Sequence, residues 1–336
     1  MRFDLPKIRS GVALARAVGE PVESLHWLAN ARTHGNRKDS AHYRNWWTRK
    51  RSGGWRLIES PLPRLKQVQR ELLPLVFDRI EPHPLSFGFC KGRSVIDFAN
   101  PHVTQSACLK LDLRDFFSQV TTGRVFGLLR KMGFGREVSH LIALLTTVRT
   151  DVETLSVGHP DPSFDIREPA LRKRHLPQGA PTSPAIANMC AFGLDVRLSG
   201  LARSVGAHYS RYADDILISG DHDFARQAHR LKIVAGTIAL EEGFEINFRK
   251  TRLLRSSQRQ FVAGMVLNEG TNLPRVEFDR LKAILHNCVR HGHKSQNRDS
   301  HPRFREHLEG RVRWVETVNA TKGAKLRILF DQIVWA

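Results

Sequence analysis

Four cysteines in 336 residues, at positions 90, 108, 190 and 288, are too few and too scattered for a disulfide framework or a zinc site. They suit a reducing cytoplasm, as small core residues. No apolar run approaches the ~20 residues that span a bilayer. Met1 to Val12 interleaves Arg, Asp and Lys with apolar side chains, unlike the continuous apolar stretch of a signal peptide. Repeats of solenoid length and low-complexity tracts are also missing. These absences exclude a stapled secreted domain, a membrane-spanning protein and a repeat array. The reading that remains is a soluble, cytoplasmic globular chain, long enough for one large core or two modest ones.

Acid is the other shortage. The chain holds 33 Asp and Glu against 53 Lys and Arg, a net charge of +20. Residues 1–105 carry a net +9, residues 106–244 only +2, and residues 245–336 again +9. Basic side chains displace counterions condensed on phosphates, so such flanks fit salt-sensitive nucleic-acid binding. General solubility, or attraction to an anionic membrane, is the bland alternative. Nucleic acid is favoured because the near-neutral centre is where clustered carboxylates occur.

Along the chain, residues 11–32 read as helix and 36–54 as a basic loop. The loop ends at Gly53-Gly54, a hairpin signal, with Trp55 to Ile58 as the returning strand. Apolar residues at 65, 68, 72, 75, 76 and 80 follow a helical period. Residues 107–113 alternate as a strand, and helices follow near 123–132 and 136–148. Pro160, Pro162 and Pro169 mark 150–175 as an extended loop or insertion. Ser183-Pro184 reads as an N-cap and first helical position, opening a buried helix to Leu198. Residues 207–219 read as strand, acidic turn, strand, and 224–238 as an amphipathic helix. The tail beyond 270 reads as basic helices around a polar loop at 291–302. Short antiparallel pairings among helices suit an α+β fold.

Three acids stand where acids are expensive. Asp112 ends an apolar strand, and Asp214-Asp215 sit between Tyr212-Ala213 and Ile216-Leu217-Ile218. Unpaired buried carboxylates are strongly unfavourable. A tight turn excuses one aspartate. It does not excuse a second acidic strand end followed by Phe116 and Phe117. Divalent cations remove the difficulty, and two of them serve in-line phosphoryl transfer.

Tyr212-Ala213-Asp214-Asp215 resembles the catalytic turn of reverse transcriptases, and residues 111–117 resemble their first catalytic strand. Residues 176–184, Leu-Pro-Gln-Gly-Ala-Pro-Thr-Ser-Pro, resemble the segment holding nucleotide and template. Three motifs in this order are far more specific than any one. The resemblance implies an α+β right-hand polymerase with fingers, a palm of antiparallel sheet with packed helices, and a mainly helical thumb. Its expected bounds are 1–105 for an N-terminal extension and fingers, 106–264 for the palm and 265–336 for the thumb. The stretch 124–206 would include fingers-like elements and the insertion.

By the same resemblance, Asp112, Asp214 and Asp215 are catalytic and bind two Mg²⁺ ions, with Mn²⁺ as a substitute and the Leu113 carbonyl assisting. Arg56, and less strongly Lys50, would grip the incoming triphosphate, although a hairpin Arg is commonly just a solvated charge. Phe117 matches the aromatic gate against a ribose 2′-hydroxyl. A core role is its plain alternative, and one that suits Phe116 better. Gln178 and Gly179 would line the nucleotide pocket. Lys250 would lie near the triphosphate, or equally on the surface. Arg311, Arg313 and Trp314 would contact RNA, Trp314 being as readily a packing residue. His291, His293 and His301 read as a solvated basic loop rather than a zinc site.

Gln178 to Pro184 is typical of the bacterial retron group. Of that group's Asn-Ala-x-x-His, this chain keeps Ala99 and His102 but has Phe98. Of its Val-Thr-Gly it keeps Val262 and Gly264 around Ala263. The resemblance implies dNTP substrates and a structured noncoding RNA serving as template and primer. It further implies a branched RNA–DNA product, an RNA–DNA heteroduplex in the cleft, a toxin or effector partner in phage defence, and no membrane. The alternatives are another bacterial reverse transcriptase (abortive-infection, CRISPR-associated or intron-derived) and a catalytically idle RNA-binding scaffold.

Overall fold

Residues 4–30, 41–50, 53–150, 171 and 173–335 are described by a computed structural model of the chain. Most of the insertion expected at 150–175 lies outside these residues.

The alternating segment at 107–113 forms the central strand of the main sheet. Strands β1 (Tyr43–Arg49) and β2 (Trp55–Pro61) make a separate antiparallel hairpin. The main sheet contains β3 (Ala107–Asp112), β4 (His208–Tyr212), β5 (Asp215–Gly220) and β6 (Arg252–Arg255), in the order β4-β5-β3-β6 and antiparallel throughout. Because side chains alternate along a strand, the sheet feeds two cores. Ala107, Leu109, Leu111, Ile216 and Ile218 join one, and Cys108 and Leu217 join the other.

The first core is completed by helices. In chain order these are α1 (Gly11–Ala17), α2 (Val22–Leu28), α3 (Pro63–Leu75), α4 (Val95–Ala99), α5 (Thr122–Lys131), α6 (Arg136–Thr146), α7 (Ser183–Cys190), α8 (Phe192–Ser204) and α9 (His222–Glu241). All but α4 contribute to it; Phe98 and Ala99 of α4 join the second core. That core lies mainly among the C-terminal helices α10 (Arg275–His291), α11 (Phe304–Val318) and α12 (Ala320–Asp331). Leu281, Leu285, Leu308, Val312 and Leu326 are buried there at helical spacing. His102 bridges the sheet from behind, its ring nitrogens 2.6 Å from Ser219 Oγ and 2.7 Å from Ser210 Oγ. Among the described residues no helix is long and apolar enough to cross a membrane.

Four local readings need correction. The expected helix over 11–32 is two short ones, parted at Gly19-Glu20-Pro21, where Gly19 has φ +72°. The basic loop expected at 36–54 is strand over Tyr43–Arg49, because it pairs in full register with β2. Ser183 is the first helical residue rather than the cap, and its hydroxyl donates to the Pro177 carbonyl at 2.7 Å. The helix expected to run to Leu198 breaks at Ala191 and restarts.

Candidate active site

Strand register brings the acids together. Asp112, the last residue of β3, lies directly opposite Asp215, the first of β5. Asp214 precedes it in a turn whose tightness is set by Ala213 in the left-handed region, φ +56°. The turn is tied to the next segment, since the Leu113 amide donates to the Asp214 carbonyl at 2.9 Å. Burial first, then the charges of Asp215 and Asp112, push the Asp214 carboxyl above its ordinary range, and a backbone hydrogen bond and then Lys250 only partly offset this. Lys250 Nζ lies 3.1 and 3.2 Å from the two Asp112 oxygens, and Lys110 Nζ lies 3.1 Å from Asp215 Oδ1.

Among the described residues, no three His, Cys, Asp or Glu side chains converge closely enough to hold an ion as they stand. Two carboxylates lean instead toward lysine ammonium groups. The donor set nevertheless fits hard divalent cations: Asp112 and Asp215 on adjoining strand ends each draw a lysine ammonium group, with Asp214 in the turn beside them.

A cleft of about 870 Å³ opens over these strand ends. Its walls bring together Lys50, Arg56, Asp112, Leu113, Phe117, Gln178, Asp214 and Lys250. The β1–β2 turn is closed by Gly53 and Gly54, both at positive φ, which sets Lys50 and Arg56 on one hairpin end. The Glu59 amide donates to the Gln178 carbonyl at 2.9 Å, so the hairpin docks on the loop before α7. Two features favour glycine at Gly179. It has φ +136°, and a Cβ there would meet the Glu59 carbonyl oxygen at 3.1 Å. Phe116 is buried and stacks on Phe244 with centroids 5.6 Å apart, leaving Phe117 partly exposed in the cleft. Asp215 is absent from this lining, and Lys250 meets Asp112 directly.

Arg311, Arg313 and Trp314 lie on α11, in the C-terminal bundle. Arg313 is exposed and pairs with Glu309 at 2.6 Å, one helical turn away. Trp314 is partly buried against the bundle core, the packing role weighed for it. Burial, then Arg280 nearby, lowers the affinity of the Arg311 guanidinium for its proton.

The sequence reading missed the network behind the turn. Arg211 is fully buried and bonds Asp195 through Nε and Nη2 at 2.6 and 2.7 Å. It also donates to Asn188 Oδ1, Ser86 Oγ and the Ala213 carbonyl at 2.9, 2.9 and 3.0 Å. Its backbone bonds Leu85 and Phe87 on the far side. Gly88, next along, packs so closely that a Cβ there would come within 2.4 Å of the Ala213 nitrogen. The turn is therefore gripped from behind by side chains from α7 and α8 and by the segment 85–88.

Compared with known proteins, residues 48–267 match the family described as reverse transcriptase (RNA-dependent DNA polymerase). Retron Mx65 reverse transcriptase of Myxococcus xanthus is 38% identical over 327 residues, covering 97% of this chain and 72% of that protein. Retron Mx162 reverse transcriptase of the same organism is 35% identical, covering 95% and 66%. Retron Ec86 reverse transcriptase of Escherichia coli is 31% identical, covering 69% and 64%. The chain thus spans between 64% and 72% of these relatives' own lengths. A solved telomerase from Candida albicans aligns at TM-score 0.44 and 12% identity, over 90% of this chain and 58% of that one, too loosely to place any residue. With a family match across the sheet and the cleft, and retron relatives aligned along nearly the whole chain, this protein belongs to the reverse transcriptases, RNA-directed DNA polymerases, of the retron group.

Proposed function

We propose that this chain copies part of a bound structured noncoding RNA into single-stranded DNA, with Asp112, Asp214 and Asp215 as its catalytic carboxylates. The observation that carries the site is the register of Asp112 against Asp215, with Asp214 raised beside them in the same cleft as Arg56, Gln178 and Lys250. Two divalent ions, Mg²⁺ or Mn²⁺, would be held by the three aspartates and the Leu113 carbonyl. There they supply activation of the attacking hydroxyl and stabilisation of the leaving oxygen. Lys250 leaves Asp112 and turns its charge to the triphosphate, where Arg56 and Lys50 join it from the hairpin. Gln178 and Gly179 let the nucleotide approach the backbone, and Phe117 excludes a ribose 2′-hydroxyl.

In this reading residues 1–105 form the N-terminal extension and fingers, 106–264 the palm and 265–336 the thumb. The basic flanks hold the RNA and the growing heteroduplex, with Arg311, Arg313 and Trp314 among the contacts. The reading further takes in priming from an RNA 2′-hydroxyl, a branched product, an effector partner and a cytoplasmic role in phage defence, all of which rest on the resemblance to the retron group alone. Purification from the native host without nuclease, followed by sequencing of the bound nucleic acid, tests this. One RNA species joined to a short DNA is the expected result. Random cellular RNA without DNA would overturn the retron-type substrate.

A further inference from the structure

Phe89 lines the cleft and has no part in the chemistry above. It is a large apolar side chain left 51% exposed, on a backbone with φ +61°. Aromatic residues rarely adopt that conformation, and it persists only where surrounding structure imposes it. Here the imposition is visible on both sides of the residue. Upstream, the Phe87 amide donates to the Arg211 carbonyl at 2.8 Å, and the Gly88 carbonyl accepts from Asn188 Nδ2 at 2.8 Å. Downstream, Arg93 Nη1 donates to the carbonyls of His83 and Ser86 at 2.6 and 2.5 Å. The network that grips the catalytic turn therefore also forces Phe89 out into the cleft.

Half of Phe89 is covered, with Phe117 beside it, and the half left open to the cleft offers a strained apolar face to a partner from outside. The partner has to be flat and apolar on its face, and must enter a nucleotide-sized cleft beside carboxylates. A nucleobase has that chemistry. Phe89 lies 6.0 Å from Phe117, centroid to centroid, on the segment flanking the outer edge of β4. Phe117 meets the sugar of the incoming nucleotide, so the ring beside it is placed to meet a base. In the sheet order the β4 edge lies opposite the β6 edge, and Lys250, which in the proposed reading turns to the triphosphate, just precedes β6 in the chain. The base on that side belongs to the template strand.

We propose that Phe89 is the stacking platform for the templating nucleobase, an inference that rests on the polymerase reading of the cleft. Loss of one base–aromatic stack weakens binding by about ten-fold. The test is a double-mutant cycle on the full chain. Wild type and Phe89→Gly each bind a synthetic RNA template annealed to a DNA primer, with and without a base at the templating position. Wild type should lose about ten-fold in affinity when that base is removed. Phe89→Gly should start about ten-fold weaker and lose nothing further, while Phe89→Trp keeps the wild-type response.

Because glycine accepts φ +61° without strain, the melting temperature of Phe89→Gly should stay within about 4 °C of wild type. Equal base-removal penalties in wild type and Phe89→Gly would overturn the proposal. So would a collapse in melting temperature of Phe89→Gly together with a wild-type response from Phe89→Leu, which marks a packing residue. Binding is read without synthesis, so a protein that makes no DNA overturns the polymerase reading and leaves the cycle to judge Phe89 by itself.

Discussion

Arg211 and Arg313 each pair with a carboxylate at 2.6 Å, yet one pair is wholly buried and the other has its arginine 70% exposed. The buried pair links α8 to β4 and reaches the carbonyl of the turn residue beside Asp214. The exposed pair lies along one turn of α11. Water screens it, and such pairs contribute about 0.3–0.5 kcal/mol. Breaking a buried pair costs about 3–5 kcal/mol, because one charge is stranded. The turn bearing Asp214 is thus over-determined, as the catalytic role proposed for it requires. Arg313 is loosely held, as the proposed sequence-tolerant grip on phosphates requires.

The comparison breaks first at the turn itself. Asp214→Ala should reduce DNA synthesis by about a thousand-fold or more while leaving RNA affinity within about two-fold, because the proposed reading assigns phosphate binding to the basic flanks. Primer extension and filter binding measure the two, and surviving synthesis would defeat the site assignment. Arg211→Met comes next, with a loss of about 3–5 kcal/mol in denaturant unfolding. Adding Asp195→Leu should restore part of it, since no charge is then stranded, although the buried Tyr209 hydroxyl loses its acceptor. A fully stable single variant would show that the network does not hold the turn.

A smaller effect is expected at Phe117. Its replacement by Ala should relax discrimination against ribonucleotides by about 10–100-fold. Unchanged sugar selectivity in single-nucleotide insertion would remove it from the gate. The smallest effect sharpens the other half of the comparison. Arg311→Ala should flatten the dependence of log affinity for RNA on log salt by about one unit. Arg313→Ala should do less, because Glu309 already neutralises it. Identical salt slopes in both variants and wild type would remove α11 from the RNA surface.

Much of this was legible because periodicity and expensive charges both leave marks. Residues 107–113 alternate, and the sheet forms on them. Asp112 and Asp214-Asp215 interrupt apolar segments, and register brings them side by side. Strand β1 was missed because its alternation sets Arg44, Trp46 and Thr48 against Asn45, Trp47 and Arg49, with no polar–apolar contrast to read. The Arg211–Asp195 pair left a signal that went unused. Each is a charge within a buried element, so each needed a partner. Nothing in one sequence says that the partners are each other. Lys110, central in an apolar strand, carried the same mark and meets Asp215.

Gly88 shows where tolerance is least. Its backbone is ordinary, so what the position demands is room: a single carbon added there would come within 2.4 Å of the Ala213 nitrogen and 3.0 Å of the Tyr212 carbonyl carbon. Every missense change at that codon adds such a carbon. The displaced part is the loop bearing Asp214, so alleles at codon 88 would disable copying while all three acids remain encoded.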